Sequence, residues 1–343
     1  MSNKKHITIY DIARELQLSA ATVSRSLKNS PSISQKTRQL VQETATRKGY
    51  RPNAVASNLR RQKTNTIGMI VPRLDSYFIA TVLAGFETVI NPAGYHLIIS
   101  QSFERVEKEI ANAITMFNSR VDALIVSLAA DTTDTSHFDP FIAKGVPVFY
   151  FDRVPKKDTC RKFVLDNFEA SVALTSHMIE QGCRKIVHIS GNITKNVYND
   201  RLNGYKKALV DHGLEVNHNY IITNDLSFQS GIEAAEKILS LNPLPDGVFA
   251  ANDMCAAACL QTLKEKGIRI PDDIAVAGFN NDPVSRMVEP RLTTINYPGD
   301  LMGKLVATSL VDKLNGKSPV KISGTQIIKS ELLKRGSTCR ING

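Results

Sequence analysis

The spacing of apolar residues changes along the chain and divides it into two parts. Up to about residue 50, apolar side chains recur every three or four positions in short blocks, which predicts three short helices. From Thr66 onward, short apolar runs alternate with stretches of helical spacing, which predicts a repeated strand–helix order. We therefore expect a small all-α unit followed by a larger α/β unit.

Three hydroxyl side chains mark helix starts in the first part. Thr8 precedes IYDIARELQL, Ser19 precedes AATVSRSLKN, and Ser34 precedes a third helix that Gly49 ends. Three short helices with a tight turn between the first two describe a helix-turn-helix unit. In such a unit the second helix enters the major groove of DNA with its N-terminal residues leading.

The apolar residues of the second and third helices predict the core of this unit. Val23 and Leu27 of the second helix and Leu40, Val41 and Ala45 of the third are expected to face inward. Small outward residues can contact thymine methyl groups, and an outward arginine can reach a guanine edge or a phosphate. The outward positions of the second helix are Ala20, Ala21, Thr22, Ser24 and Arg25.

A short basic segment, AVASNLRR, follows the bend at YRPN. It is too short to form a stable helix in water by itself. Its large apolar residue, Leu59, is typical of a side chain that wedges into the minor groove when the helix folds on DNA. A flexible linker is the alternative interpretation of the same residues.

The excess positive charge lies in the first fifth of the chain. The protein has 43 Lys and Arg against 33 Asp and Glu, a net charge of +10. Residues 1–63 hold 13 of the basic and 3 of the acidic residues, so 64–343 holds 30 of each and is neutral. A folded basic module on a neutral body is typical of a protein that binds a polyanion. A three-helix bundle with a solvated basic face is the simpler alternative.

The rest of the chain predicts two parallel sheets, each covered on both faces by helices. We expect one lobe near 66–163 plus 292–322 and a second near 164–291 plus 323–335. Ligands of open α/β sheets bind beyond the carboxyl ends of the strands, so a two-lobed protein binds in the cleft between lobes. Strands are predicted at 67–71, 96–100, 123–126, 146–151, 185–189, 220–223, 247–250 and 274–279, and helices at 78–90, 106–117, 171–181, 202–211, 232–241 and 255–266.

The motifs of the first 65 residues resemble the headpiece and hinge of the LacI/GalR family of bacterial repressors. DIA in the first helix, TVSR in the second, KTR in the third, the YRPN bend and the hinge AxxL occur in the family's order. The resemblance implies a helix-turn-helix domain over 1–52 and a hinge helix and linker over 53–65. The DNA-binding residues that it implies are Thr8, Ser19, Ala20, Ala21, Thr22, Ser24, Arg25, Asn29, Tyr50, Asn53, Ala56, Leu59 and Arg60.

Motifs of the larger part resemble the periplasmic-binding-protein-like core of the same family, expected over 66–335. They include VDALIV, GVPVFYFDR, LDN, DRLNGYKKAL, FAANDMCA, IAVAGFNND and PRLTTINYP. Asp, Arg and Asn side chains can hydrogen-bond vicinal hydroxyls, and aromatic rings can stack on a sugar or base. The effector-binding residues that the resemblance implies are Tyr77, Phe78, Asp152, Arg201, Leu226, Asn252 and Asn280.

Two positions depart from the family pattern and leave the effector open. Asn280, in GFNND, stands where the family commonly has Asp, and Leu226 stands where an aromatic residue often stacks. Phe228 either substitutes for that aromatic residue or belongs to the core. Sugars, sugar phosphates and nucleosides all stay possible, and the resemblance favours a sugar.

Enzymatic and metal chemistry find little support in the sequence. The five cysteines are scattered, and Cys255 and Cys259 share a helix face without further ligands at metal spacing. Asp152 and Asp166 form the carboxylate pair to inspect for a sugar-modifying enzyme. We expect no catalytic activity, no cofactor and no metal.

The combined expectation is a cytoplasmic homodimeric transcription regulator. The N-terminus lacks the apolar stretch of a secretion signal, and no apolar run reaches the roughly 18 residues that span a bilayer. Paired headpieces are expected to bind a pseudo-palindromic operator, and a small effector between the lobes to control them. A solute-binding protein without DNA function is the alternative, and it would not need the basic N-terminal unit.

Overall fold

A computed structural model describes residues 7–50, 63–157, 160–317 and 323–340. The chain divides into two compact units, Met1–Thr64 and Asn65–Gly343, which we call the headpiece and the core. The hinge helix predicted within 53–65 falls largely outside the described residues. The same holds for four predicted DNA-binding residues, Asn53, Ala56, Leu59 and Arg60.

The described headpiece contains three helices, α1 Ile9–Glu15, α2 Ala20–Leu27 and α3 Gln35–Arg47. Side-chain caps begin two of them: the Ser19 Oγ accepts from the Thr22 amide at 3.0 Å, and the Ser34 Oγ accepts from the Thr37 amide at 3.2 Å. These caps satisfy amide groups that have no partner inside the helix.

The headpiece core differs from the prediction at Leu40. Val23 and Val41 are fully buried, as expected, but Leu40 is 48% exposed and Thr44 is buried instead. Thr44 and Ala45 follow Val41 by three and four positions and share its helix face, whereas Leu40 lies about 100° away from Val41 on the helix. The apolar character of Leu40 was therefore a misleading signal.

The first lobe of the core contains a six-stranded parallel sheet. Its strands are β1 Thr66–Val71, β2 His96–Gln101, β3 Ala123–Val126, β4 Val148–Phe151, β5 Arg161–Leu165 and β11 Gly324–Ile328. They lie in the order β11–β5–β4–β3–β1–β2, which makes β2 an edge strand. The helices of this lobe are α4 Tyr77–Ile90, α5 Val106–Asn118, α6 Asp139–Ala143 and α12 Gly299–Leu314.

The second lobe contains a four-stranded parallel sheet in the order β7–β6–β8–β9. Its strands are β6 Ile186–Ser190, β7 Ile221–Thr223, β8 Gly247–Ala250 and β9 Ala275–Ala277. Its helices are α7 Asn167–Glu180, α8 Asn196–Asp211, α9 Phe228–Leu239, α10 Asp253–Glu265 and α11 Val284–Met287. A separate antiparallel pair, β10 Thr294–Asn296 and β12 Glu331–Leu333, lies where the chain passes between lobes.

The C-terminal segment 323–335 does not lie wholly in the second lobe, which corrects the prediction. Its first part, β11, pairs in parallel with β5 at the edge of the first sheet, with Gly324 opposite Arg161. Strand β5 was not predicted, because it begins with Arg161 and Lys162. The chain reaches the second lobe at β12 and beyond it, where the Ser337 Oγ donates to the Val276 carbonyl at 2.5 Å.

Helix α12 returns to the first lobe and packs closely against α4. A Cβ atom at Gly303 would lie 2.1 Å from the Val82 carbonyl oxygen, and one at Gly85 would lie 2.2 Å from the Asp300 carbonyl oxygen. Only glycine fits at both contacts, so the two helices approach backbone to backbone. This packing holds in place the segment between β10 and α12, through which the chain returns from the second lobe.

Among the described residues, no helix combines the length and the hydropathy that crossing a bilayer requires. That part of the chain also contains no group of three or more His, Cys, Asp or Glu side chains that could hold a metal ion. Cys255 and Cys259 are fully buried in the second lobe, and burial raises the pKa of the Cys255 thiol to about 12. Both cysteines therefore pack as apolar side chains.

Candidate functional site

The N-terminal half of α2 presents small side chains to solvent. Val23 and Ser26 form its buried face. Ala21 and Arg25 are exposed, and Ala20 is partly exposed. Ser24 and Thr22 are also partly exposed, and the Thr22 hydroxyl lies 2.8 Å from the Ser19 Oγ. Ser19 and Thr22 thus build the helix start from which the other side chains project.

Three further predicted DNA-binding residues have structural roles at the borders of the headpiece helices. Thr8 is the N-cap of α1. Asn29 follows α2 with a left-handed φ of 53°, and its carbonyl accepts from Arg38 at 3.2 Å. Tyr50 packs against the headpiece core after α3. The headpiece therefore holds these positions in fixed geometry, and their contacts to DNA stay predictions.

In the core, Arg201 lies at the centre of the candidate cleft. It is on α8 and only 3% exposed. Its Nε donates to the Asn167 Oδ1 at 2.9 Å, and its Nη1 donates to the Ala251 carbonyl at 2.6 Å. Its guanidinium carbon lies 3.7 Å from the ring centroid of Phe279. Groups at the start of α7 and just after β8 and β9 thus fix this cation at one edge of the second lobe.

Asp152 approaches the same place from the first lobe. It follows β4 directly, with a left-handed φ of 58°, and is buried. Its carboxylate accepts a hydrogen bond from the hydroxyl of Tyr297, and its carbonyl accepts from the Asn196 side chain at 2.9 Å. Burial beside Asp152 raises the pKa of Tyr297 well above its usual value, so the phenol stays neutral.

Phe78 joins this group, and Tyr77 does not. The Phe78 ring is buried, with its centroid 4.3 Å from that of Tyr297. Tyr77, one residue earlier on α4, is 48% exposed. Successive side chains on a helix point about 100° apart, so only one of two neighbours can face the cleft.

The Asn252 side chain hydrogen-bonds the backbone of Leu226. The Asn252 side chain caps α10 by accepting from the Cys255 amide at 2.8 Å, and it donates to the Leu226 carbonyl at 2.9 Å. Leu226 is buried, with a left-handed φ of 59°. Phe228 is 56% exposed, which excludes the interpretation that it belongs to the core.

Asn280 lies where the chain bends out of the second sheet, with a φ of 113°. Its amide donates to the Ile295 carbonyl at 3.0 Å, and its carbonyl accepts from the Tyr297 amide at 3.4 Å. A carboxylate occurs two residues later: Asp282 has one buried oxygen without a hydrogen-bond partner among the described residues. Burial raises the pKa of Asp282 to about 6.

Three residues that contact the predicted site were missed as candidates. Asn167 follows β5, Phe279 follows β9, and Tyr297 follows β10. All three lie in quoted motifs, LDN, GFNND and TTINYP, just after a strand. Their position at strand ends was the available signal, and only the fold shows which strand ends meet.

Polar side chains of the second lobe reach the first lobe at one side of the cleft. The Asn192 Nδ2 donates to the Ala130 carbonyl at 2.9 Å, and the Arg153 Nη2 donates to the Tyr198 hydroxyl at 3.0 Å. Lys195 is buried and donates to the Thr132 carbonyl. Asn192, Lys195 and Tyr198 lie in or just before the first turn of α8, the helix that carries Arg201.

A separate apolar surface lies at the β2 edge of the first sheet. Ile98 and Ile99 of β2 are 42% and 38% exposed, and Ile110 and Ile114 of α5 are also exposed. An exposed edge strand with apolar side chains is a surface that proteins commonly cover with another chain.

Comparison with known proteins gives two family matches. The model described as "Bacterial regulatory proteins, lacI family" matches residues 8–53. The model described as "Periplasmic binding protein-like domain" matches residues 175–338. The first match covers the three headpiece helices, and the second covers the second lobe from within α7 onward and the returning α12.

Two similar relatives and one solved structure extend over nearly the whole chain. The catabolite control protein A of Priestia megaterium is 33% identical over 323 residues, 94% of this chain and 96% of the relative. The HTH-type transcriptional repressor PurR of Photobacterium profundum is 32% identical over 313 residues, 91% and 93% respectively. The Lac repressor dimer bound to operator and the anti-inducer ONPF superposes with a TM-score of 0.87 at 24% identity, covering 98% of this chain and 100% of that chain.

Proposed function

This chain belongs to the LacI family of bacterial regulatory proteins, and we propose that it represses transcription from an operator under the control of a small molecule. It is a DNA-binding transcriptional repressor of that family. The finer proposal concerns the operator symmetry, the residues that read it and the chemical class of the effector. The relatives are named as regulators, and we assign this chain no catalytic step.

We propose that α2 reads DNA through Ala20, Ala21 and Arg25. The supporting observation is that these side chains are at least partly exposed on a headpiece that holds all the net positive charge. Methyl groups can contact thymine, and the guanidinium can bind guanine or phosphate. Leu59 and Arg60 are proposed to contact the minor groove, by resemblance alone.

Selection from a random duplex library with the full chain tests this proposal. We expect enrichment of an inverted repeat, because a two-fold dimer places two α2 helices in successive major grooves. Affinity for the selected duplex should also fall with added salt, since Lys and Arg displace counterions from phosphates. A pool without any enriched sequence would contradict the repressor proposal.

We propose that the effector binds between the lobes and is a sugar. The observation that supports this site is the convergence of Arg201, Asp152 and Phe78 from three elements around one buried point. A guanidinium and a carboxylate can hydrogen-bond sugar hydroxyls, and an aromatic ring can cover the apolar face of the ring.

Thermal-shift screening of the full chain against monosaccharides, sugar phosphates and nucleosides identifies the class. We expect a sugar to raise the melting temperature of the parent, because a ligand that binds only the folded state stabilises it. The same sugar should have no effect on Arg201→Ala, measured against that variant's own baseline. A hit of undiminished size on Arg201→Ala would remove Arg201 from the site.

We propose a homodimer that uses the apolar β2 edge of the first lobe. Ile98, Ile99 and Ile114 provide apolar area, and the edge strand offers backbone groups to a partner. A symmetric dimer agrees with an inverted-repeat operator, since each half-site then meets one headpiece.

A further inference from the structure

Tyr297 makes the contacts that the family resemblance implies for the effector. The sequence predicts that Asp152 binds a hydroxyl of the effector and that Phe78 stacks on its ring. In the structure the carboxylate of Asp152 accepts from the Tyr297 hydroxyl, and the Phe78 ring lies 4.3 Å from the Tyr297 ring. One side chain of the protein thus satisfies both predicted contacts.

The Tyr297 ring is also enclosed on its other sides. The Phe279 ring meets it edge to face at 6.1 Å, and the guanidinium of Arg201 lies 5.4 Å from its centroid. Phe78 belongs to the first lobe, while Phe279 and Arg201 belong to the second. Tyr297 therefore fills the space where both lobes would close on a ligand, and it is only 6% exposed.

The backbone of Tyr297 is held in place, so displacement of this residue requires rotation of its side chain. Its amide donates to the Asn280 carbonyl at 3.4 Å, and its carbonyl accepts from the Gly299 amide at 2.8 Å. A Cβ at Gly299 would lie 2.1 Å from the Thr81 Oγ1, so the next turn of chain is pressed against α4. Rotation about the side-chain bonds of Tyr297 leaves these backbone contacts intact.

We propose that Tyr297 occupies the effector position as an intramolecular ligand and that the effector binds by displacing it from Asp152. This inference rests on the proposed effector cleft and makes Tyr297 a specificity-determining residue within it. The effector must replace a hydrogen bond to a buried carboxylate and a stacked ring. That requirement favours a molecule with both a hydroxyl group and a flat or apolar face, and it disfavours one that offers hydrogen bonds alone.

Displacement of Tyr297 can also change the arrangement of the two lobes. Tyr297 lies between β10, where the chain leaves the second lobe, and α12, which packs on α4 through Gly303 and Gly85. A ligand that prefers one side-chain position of Tyr297 shifts the equilibrium between two core states. Operator affinity changes only by the difference in affinity of the ligand for those states.

Chemical complementation of Tyr297→Ala with phenol tests the proposal in the full chain. Removing the side chain leaves a space shaped for phenol, so we expect phenol to raise the melting temperature of this variant more than benzene does, because only phenol donates to Asp152. With a duplex selected as above, the operator Kd of Tyr297→Ala should differ at least about fivefold from the parent. Saturating phenol should restore the parent value.

Tyr220→Ala is the matched control. Tyr220 is a buried tyrosine of the second lobe whose hydroxyl bonds the Pro243 carbonyl at 3.2 Å, outside the cleft. Its operator Kd should equal that of the parent, with or without phenol. Phenol that stabilises Tyr297→Ala but leaves its operator Kd unchanged would overturn the proposal, and so would a Tyr297→Ala Kd equal to the parent's.

A second variant covers the case in which Tyr297→Ala does not fold. Tyr297→Phe keeps the ring and removes only the hydroxyl, so we expect a smaller change of operator Kd that does not respond to phenol. An operator Kd equal to the parent's would then overturn the proposal. If the parent itself selects no operator, the proposed function fails instead, and the phenol-dependent melting of Tyr297→Ala still tests the occupancy of the cleft.

Discussion

The guanidinium of Arg201 lies 3.7 Å over the ring of Phe279, in a cleft where both side chains are buried. It donates hydrogen bonds to neutral oxygens of Asn167 and Ala251, and among the ion pairs of the described residues none includes Arg201. A desolvated cation gains about 2 kcal/mol from an aromatic face, which partly offsets the cost of its burial. The Phe279 ring thus helps to stabilise the buried charge of Arg201 without an ion pair.

Arg201→Ala should destabilise the core. The substitution leaves the Asn167 Oδ1 and the Ala251 carbonyl buried without their donor, and each unsatisfied group costs about 1–3 kcal/mol. We expect the free energy of unfolding in urea to fall by about 2–4 kcal/mol. Arg105→Ala, which removes an exposed arginine 3.4 Å from Glu107, is the control and should change it by less than about 0.5 kcal/mol. Equal effects of the two variants would contradict the structural role of Arg201.

Arg25→Ala should weaken binding to the selected operator. Arg25 lies outside the buried face of α2, so the substitution removes the proposed DNA contact without disturbing the headpiece core. We expect a loss of about 1–3 kcal/mol, or roughly 5- to 150-fold in Kd, by fluorescence anisotropy at fixed salt. Circular dichroism should show unchanged helix content. Parent-like affinity of Arg25→Ala would remove Arg25 from the proposed contacts.

Ile98→Glu should dissociate the proposed dimer. A charge in the middle of the exposed β2 edge must be desolvated if a partner covers that surface. We expect the mass of the parent by light scattering to be that of two chains, and the mass of the variant to be that of one. Ile142→Glu, an exposed isoleucine on α6, is the control and should leave the mass unchanged. Retention of the dimer by Ile98→Glu would place the interface elsewhere.

Asp253 should make stability fall as the pH rises towards neutrality. Its carboxylate is fully buried, accepts from the Thr294 hydroxyl and the Asp282 amide, both at 2.7 Å, and burial raises its pKa to about 7. Because this pKa is higher in the folded than in the unfolded chain, the folded state holds more protons between about pH 4 and 7. The contribution of Asp253 to the free energy of unfolding should then decrease by on the order of 1 kcal/mol per pH unit in that window. Buried His188, whose pKa burial lowers to about 3, contributes a slope of opposite sign up to about pH 6.5, so the effect of Asp253 is the difference between the parent and a variant that cannot ionise there.

Urea unfolding of the parent and of Asp253→Asn at pH 5, 6, 7 and 8 measures this slope. The variant cannot ionise at position 253, so the stability of the parent relative to the variant should decrease with pH up to about pH 7, while His188 and Asp282 contribute to both chains. Asp272→Asn, at an exposed aspartate near Arg269, should keep the parent slope. The same slope in parent and Asp253→Asn would show that Asp253 is ionised throughout.

The sequence determined the two-unit plan because the relevant signals are local. Each signal depends on residues that are close together in the sequence. These signals are the apolar spacing of each helix, the caps Ser19 and Ser34, and the cluster of basic residues. The same is true of the alternating strands and helices of the core. Most strands were predicted within one or two residues of their observed bounds, such as 123–126 for β3.

Long-range pairing was beyond the reach of those local patterns. Strand β5 opens with two basic residues and was not predicted. Strand β11 pairs with it from a distant part of the chain, and the prediction placed that segment in the second lobe. Leu40 shows the same limit in the headpiece, where packing decided that Thr44 is buried in its place.

For the site, the resemblance of the sequence motifs to the LacI family implied Arg201, Asp152 and Phe78 one by one, and each follows a strand or lies near the start of a helix. Only the tertiary structure decided that Tyr297 joins them, because its hydroxyl and the carboxylate of Asp152 are 145 positions apart in the chain. Sequence periodicity reports which face of an element is buried, and it does not report which strand ends meet. Which strand ends lie together depends on how the two lobes pack around the segment between β10 and α12, and this packing is a property of the whole core.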